Sequence, residues 1–136
     1  MPVYLRPLPL PDPDSAAFWQ GCRDHKLLVQ RCAACGQFRY PPRPYCPYCR
    51  ARRVEWVQAR GTGSVFSWIV VTHPVPREVF AGEVPYVVAL IELDEGVRLA
   101  SNLVGCATSD VSAGMRVKVW FDDVTLDTTL PKFRPE

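Results

Sequence analysis

A chain of 136 residues and 15.3 kDa is long enough to bury about two-thirds of its unfolded surface, as one domain or a domain with a small module. With 48% hydrophobic and 22% charged residues it is not intrinsically disordered, and a formal charge of +2 does not by itself imply a nucleic-acid or membrane partner. Its 14 prolines, roughly twice the usual share, argue against a helical bundle and for strands joined by stiff loops.

Residues 1–13 read as a proline-spaced extended arm without the apolar core of a signal peptide. Asp12 or Asp14 is placed to cap a short helix over 14–25, because a carboxylate there accepts the orphan N–H groups of the first turn. Phe18, Trp19 and Cys22 share one side of that helix. A strand over 27–31 leads into residues 32–49, which hold four cysteines and almost no apolar core material. The pattern then turns to period two: a strand over 54–58, a bend at Gly61-Thr62-Gly63, and a strand over 64–72. Residues 73–85, with Pro74, Pro76, Gly82 and Pro85, read as a surface loop. Strands over 86–93 and 97–104 flank Asp94-Glu95-Gly96, a hairpin with glycine at the left-handed position. A strand over 116–121 follows the turn at Ala113-Gly114, and residues 130–135 form a short, proline-bounded tail. This predicts two units, 1–58 with arm, helix and cysteine module, and 59–136 with the strand run and tail. Five or six strands suit a small barrel or a sandwich, and a five-stranded OB barrel fits the count. No apolar stretch approaches the roughly 18 residues of a membrane span, so no membrane partner and a cytoplasmic location are expected.

In a reducing compartment six cysteines are read as metal ligands or free thiols before disulfides. Cys32-Ala-Ala-Cys35-Gly36 and Cys46-Pro-Tyr-Cys49 form two CxxC turns with ten residues between them. Tetrahedral zinc takes four soft ligands at about 2.3 Å per sulfur. Each CxxC turn supplies two thiolates from one tight knuckle, with backbone N–H groups in reach of the sulfurs. Gly36 can take the left-handed conformation by which the chain leaves the first knuckle. The competing readings are two disulfides, four unrelated thiols, or iron held as in rubredoxin. A redox CxxC does not come in duplicate, and the short gap, with Arg50 where a second glycine normally follows, favours zinc. Cys32, Cys35, Cys46 and Cys49 are therefore expected to bind one structural Zn²⁺ per chain, with no position left for a catalytic water.

Nine basic and two acidic residues lie between Arg23 and Arg60, a balance like that of a nucleic-acid patch. Four thiolates and one Zn²⁺ add a net charge of about −2, which brings the holoprotein near neutrality and weakens that reading. His25 and His73 belong to no Ser/His/Asp or Cys/His set. Cys22 and Cys106 stand alone and suit small hydrophobes better than nucleophiles. Asp94/Glu95 and Asp122/Asp123 fall at turns, and neighbouring strand residues point to opposite faces. The sequence thus offers no recognisable catalytic set, and catalysis by this chain alone is not expected.

The run FW…LLVQRCAACGQFRYPPRPYCPYCR…VEWVQARGTGSVFSWIVV, followed by PYVVALIELDEGVRLASNLVG, GMRVKVWF and LPKFRP, resembles the family of small proteins in which a rubredoxin-like zinc ribbon is fused to an OB-fold. The resemblance covers residues 18–135 and departs at Arg50, often a glycine in the family. It implies a mostly β chain: N-terminal helix, zinc ribbon, then a five- or six-stranded OB-fold barrel. It also implies a non-catalytic, acyl-CoA-associated accessory subunit in a hetero-oligomer with a thiolase-fold enzyme, sterol side-chain aldolases included, or with a MaoC-like hydratase. In such pairs the small subunit helps bind the CoA thioester and hold the complex together. The alternative is a nucleic-acid-binding module, since ribbons and OB barrels both serve that role. Strands SVFSWIVV and YVVALIEL carry no basic residues to track phosphates, which disfavours it. Phe18 and Trp19 are either core filling or an apolar patch for a partner or acyl chain, and Arg43 is either solvated or a contact for a CoA phosphate. One face of SVFSWIVV and YVVALIEL is expected to need cover from the ribbon, the helix or another chain.

Overall fold

A computed structural model describes residues 4–136; residues 1–3 of the predicted arm lie outside the described residues. The first element, α1 (Ala16–Arg23), buries Phe18, Gly21 and Cys22. Its N-cap is Ser15 rather than Asp12 or Asp14, and Ser15 makes no side-chain cap bond. Asp12 acts one turn earlier: its carboxylate accepts the Ser15 N–H at 2.8 Å, and its own N–H donates to the Ser15 hydroxyl at 3.0 Å. The carboxylate stabilises the turn that launches the helix, a local alternative to capping for aspartate.

Three antiparallel strands follow in the order β2-β1-β3: β1 (Leu28–Cys32), β2 (Phe38–Arg39) and β3 (Val54–Gln58). The two-residue β2, too short to show a period in the sequence, returns the chain from the first cysteine knuckle by pairing Gln30 with Arg39. β3 then pairs along the whole of β1, from Leu28 opposite Gln58 to Cys32 opposite Val54.

The remaining strands close a five-stranded barrel in the order β4-β5-β6-β8-β7: β4 (Thr62–Val71), β5 (Tyr86–Leu93), β6 (Arg98–Leu103), β7 (Arg116–Asp123) and β8 (Thr129–Pro135). Closure decides for an OB-like barrel over a sandwich. β5 shows the expected period two, with Val87, Ala89, Ile91 and Leu93 buried and the residues between them half-buried. At Gly63 a side chain has no room, since a Cβ would lie 2.3 Å from the Glu92 carbonyl oxygen on β5. Two readings need correction. Residues 130–135 are not merely a tail: β8 lies between β6 and β7 and contributes Phe133, which is fully buried. The loop over 73–85 contains a single helical turn, α2 (Arg77–Phe80).

One hydrophobic cluster runs from Phe18 and Cys22 through Leu27, Val29 and Ala59 to the barrel residues Val65, Ile91, Val117 and Phe133. The Ala59 N–H donates to the Leu27 carbonyl at 2.8 Å, tying the ribbon sheet to the start of the barrel. No helix among the described residues is long and apolar enough to cross a membrane.

Candidate metal centre

The ligand atoms of Cys32, Cys35, Cys46 and Cys49 all lie within 4.8 Å of one another. The Cys32 and Cys49 sulfurs are 3.6 Å apart, as are those of Cys35 and Cys46. A disulfide requires about 2.05 Å, and all six cysteines are free. Four sulfurs at about 2.3 Å from a tetrahedral zinc stand about 3.8 Å apart, so spacing and donor chemistry both fit that ion. Cys32 and Cys46 are buried, whereas Cys35 and Cys49 face outward.

The two knuckles have the same backbone construction. Gly36 N–H donates to the Cys32 carbonyl and Arg50 N–H to the Cys46 carbonyl, each at 2.9 Å. Gly36 has φ 79° and Arg50 has φ 66°. Arg50 therefore adopts the left-handed conformation usually given to glycine, at a cost of about 1–2 kcal/mol, and the second knuckle keeps its shape. The N–H groups of Cys35 and Ala34 donate to the Cys32 sulfur at 3.4 Å each. Led by the Cys35 N–H, these bonds bring the Cys32 thiol down to about 6. At Cys46 burial opposes ionisation, but the N–H groups of Cys49 and Tyr48 outweigh it and the thiol is again lowered. Backbone dipoles thus favour thiolates at the inner pair, the form a metal needs.

Beside the cluster, Arg39 fastens the ribbon. Buried Arg39 donates from Nε to Gln30 Oε1 at 2.8 Å and from Nη2 to the Arg43 carbonyl at 3.1 Å. The same Gln30 oxygen accepts the Arg43 N–H at 2.8 Å. Gln30 and Arg39 escaped the sequence reading; an uncharged polar residue between Val29 and Arg31 was the only available signal. Arg43 consequently has a fixed backbone and an exposed side chain. It lines a groove of about 600 Å³ with Tyr40, Tyr48 and Arg98, and a second of about 690 Å³ with Tyr45, Arg50 and Arg52.

Phe18 and Trp19 separate. Phe18 is 2% exposed, inside the core, and has no free face for a ligand; the core role weighed for it is the one it takes. Trp19 packs edge-on against it, with centroids 5.0 Å apart, and lines a small hollow with Pro9, Pro11 and Thr129. Trp19 and Arg43 line different hollows, so the fold does not bring the candidate contacts into one site.

Three other reactive groups, Cys22, Asp94 and His25, are engaged structurally. Burial pushes the Cys22 thiol up to about 12, which suits a small hydrophobe. Asp94 accepts Arg116 at 2.9 and 3.1 Å together with the Thr62 hydroxyl, and these bonds, Arg116 first, hold its carboxyl at about 2. His25 lies just beyond α1 with its Nε2 2.9 Å from Asp123, and its ring stacks on Phe121.

Comparison with known proteins matches both halves. Residues 19–55 match the ChsH2 rubredoxin-like zinc ribbon domain, and residues 56–122 match the ChsH2 C-terminal OB-fold domain. A probable enoyl-CoA hydratase alpha subunit from Thermomonospora curvata is 46% identical over 98% of this chain. A 3-oxo-4,17-pregnadiene-20-carboxyl-CoA hydratase alpha subunit from Mycobacterium tuberculosis is 37% identical over 90%. The chain spans only 41% and 38% of the length of those two proteins. A DUF35 domain-containing scaffold protein from Methanocaldococcus jannaschii is 36% identical, the match covering 80% of this chain and 77% of that one. Among solved structures, an Ltp2–ChsH2(DUF35) aldolase aligns with a TM-score of 0.85 at 45% identity, over 93% of this chain and 98% of that chain.

Proposed function

The chain belongs to the ChsH2 (DUF35) family of zinc-ribbon and OB-fold proteins, and from that premise we propose that it is a non-catalytic accessory subunit of an acyl-CoA enzyme. The observation that carries this reading is the likeness, over 93% of the chain, to a protein solved within an Ltp2–ChsH2(DUF35) aldolase. In this reading a thiolase-fold partner performs the carbon–carbon chemistry on a CoA thioester, sterol side-chain thioesters being among the substrates to test. A MaoC-like hydratase is the second partner to test, favoured by the two hydratase alpha subunits among the relatives.

Cys32, Cys35, Cys46 and Cys49 would hold one structural zinc per chain. When bound, such an ion supplies a closed four-thiolate cross-link and no position for substrate. Arg43, exposed on a backbone pinned by Gln30 and Arg39, is the residue proposed to meet a CoA phosphate. Trp19, half-buried beneath the proline arm, is the apolar candidate. Units 1–58 and 59–136 divide these tasks: the first carries the metal and both contact candidates, the second the barrel.

Reconstitution tests the proposal. Mixed with a thiolase-fold acyl-CoA enzyme from the same organism, the chain is expected to co-elute and to raise turnover of an acyl-CoA. A partner fully active alone that never co-elutes would refute the accessory reading. Turnover by this chain alone would refute its non-catalytic role.

The alternative, a nucleic-acid module, draws support from one surface, where Arg43, Arg50 and Arg52 stand beside exposed Tyr45 and Tyr48. Few phosphates could be neutralised there at once, so random single-stranded DNA or RNA is expected to bind more weakly than about 10 µM at physiological salt. A tighter complex that weakens steeply with salt would decide for the alternative.

A further inference from the structure

β4 changes character halfway along. Through Ser64 it is flanked on both sides, pairing with β5 and, from Thr62 to Ser64, with β7. Val65 makes the last contacts on the β7 side, its N–H donating to Met115 and its carbonyl accepting from Gly114. Beyond it the strand continues to Val71 paired with β5 alone, after a register shift between Val65 and Ser67 that leaves Phe66 without a partner. Among the described residues, Phe66 to Val71 thus form an open strand edge.

Side chains on this segment are exposed on both faces. Trp68 pairs with Ala89 and Val70 with Val87, so they share the face of those core residues, yet they remain 36% and 38% exposed. Ile69, on the opposite face, is 62% exposed, and Phe66 at the irregularity is 43% exposed. Soluble proteins protect such edges with lysines, prolines or inward charges. From Val65 to Thr72 there is no charge and no proline. A charged group that does lie over this segment is Arg98, whose guanidinium is 3.7 Å from the centre of the Phe66 ring.

We infer that residues 66–71 are a docking blade that inserts into an apolar cleft of the partner enzyme, with the open edge adding to a strand of that enzyme. The inference rests on the accessory-subunit reading and assigns the contact to a place. A second copy of this chain fits poorly as occupant. The exposed fractions of Phe66, Trp68, Ile69 and Val70 amount to about 350 Å² per copy, taking full burial of an aromatic as 150–250 Å². Two copies edge to edge would bury less than about 700 Å², well below the 1,200 Å² or so of stable interfaces. Pairing at the edge would also leave both apolar faces wet. A cleft covers edge and faces together, and only a larger, concave partner supplies one.

The test uses the full chain, a thiolase-fold acyl-CoA enzyme from the same organism, and three variants. Ile69→Lys and Trp68→Asp put charges on opposite faces of the blade; Leu126→Lys alters another exposed leucine, between β7 and β8. Ile69→Lys and Leu126→Lys should melt like wild type, and Trp68→Asp, which gives up partly covered aromatic surface, somewhat lower. Wild type and Leu126→Lys are expected to bind the enzyme equally, with an affinity that barely changes between about 0.1 and 0.5 M salt. Ile69→Lys and Trp68→Asp are expected to weaken binding at least tenfold, and open-edge amides of residues 66–71 to exchange more slowly in the wild-type complex. If wild type binds and both blade variants bind as well, with exchange unchanged, the blade is wrong while the accessory reading stands. If wild type does not bind, the accessory reading falls and the blade with it. A dimer of this chain abolished by Ile69→Lys would overturn the choice of occupant.

Discussion

Replacing Cys46 with serine is expected to abolish metal retention and unfold the ribbon. Cys46 is 1% exposed, so its loss falls at the inner side of the cluster, and a serine hydroxyl is a far poorer zinc ligand than a thiolate. The segment between the knuckles has little else to hold it: Phe38 and Tyr40 are its only apolar residues packed against the core, and both are only partly buried. Structural zinc contributes about 10–16 kcal/mol to folding in modules of this kind, comparable with the whole stability of an ordinary domain, about 5–15 kcal/mol. Losing most of that exceeds what Gln30, Arg39 and the short β2 can offset. Elemental analysis should find one zinc per wild-type chain and none in the variant after gel filtration, with the variant's ribbon amides exchanging freely. A wild-type preparation without zinc would sink the assignment, and a red preparation would point to iron. A variant that melts like wild type would show that the cluster is not what holds the ribbon.

The four-cysteine cluster was legible because a CxxC knuckle is local: spacing, a left-handed residue after the second cysteine, and N–H groups aimed at sulfur all follow from a few adjacent residues. Arg50 shows that this logic is backbone logic, since a non-glycine residue there still takes φ 66°. The β strands of the barrel were legible wherever one face is buried, as in β5. What was hidden depends on tertiary placement. Phe18 and Trp19 are neighbours in the helix, and only the packing of α1 decides that one is buried and the other lines a hollow. Gln30 and Arg39 find each other across two strands. In SVFSWIVV the apolar excess was visible, but not that the β7 neighbour ends at Val65 and leaves the rest of the strand as an edge. Likewise Pro131 and Pro135 argued for a tail, since proline weakens a strand between two others. The structure tolerates them because β8 meets β6 through a single register pair, Leu103 with Phe133, and its long ladder is with β7.

That single pair makes Phe133 the residue on which closure depends, and Phe133→Ala is expected to cost about 3–5 kcal/mol. Its side chain is the largest of the fully buried ones and lies in the same cluster as Ile91, Val117 and Leu103. Its backbone pairs with Val119 on β7, and its carbonyl accepts the Val104 N–H at 2.8 Å beyond the end of β6. Truncation therefore leaves a cavity where β6, β7 and β8 converge, and the surrounding strands cannot collapse into it without giving up register on one side. Urea denaturation of the zinc-loaded protein measures the effect as a fall in midpoint at unchanged slope. Leu126→Ala, at an 89% exposed position in the turn before β8, should stay within about 0.5 kcal/mol of wild type. A Phe133→Ala loss below about 1 kcal/mol would mean that the barrel holds without its last strand, and that residues 130–135 behave as the loose tail their prolines suggest.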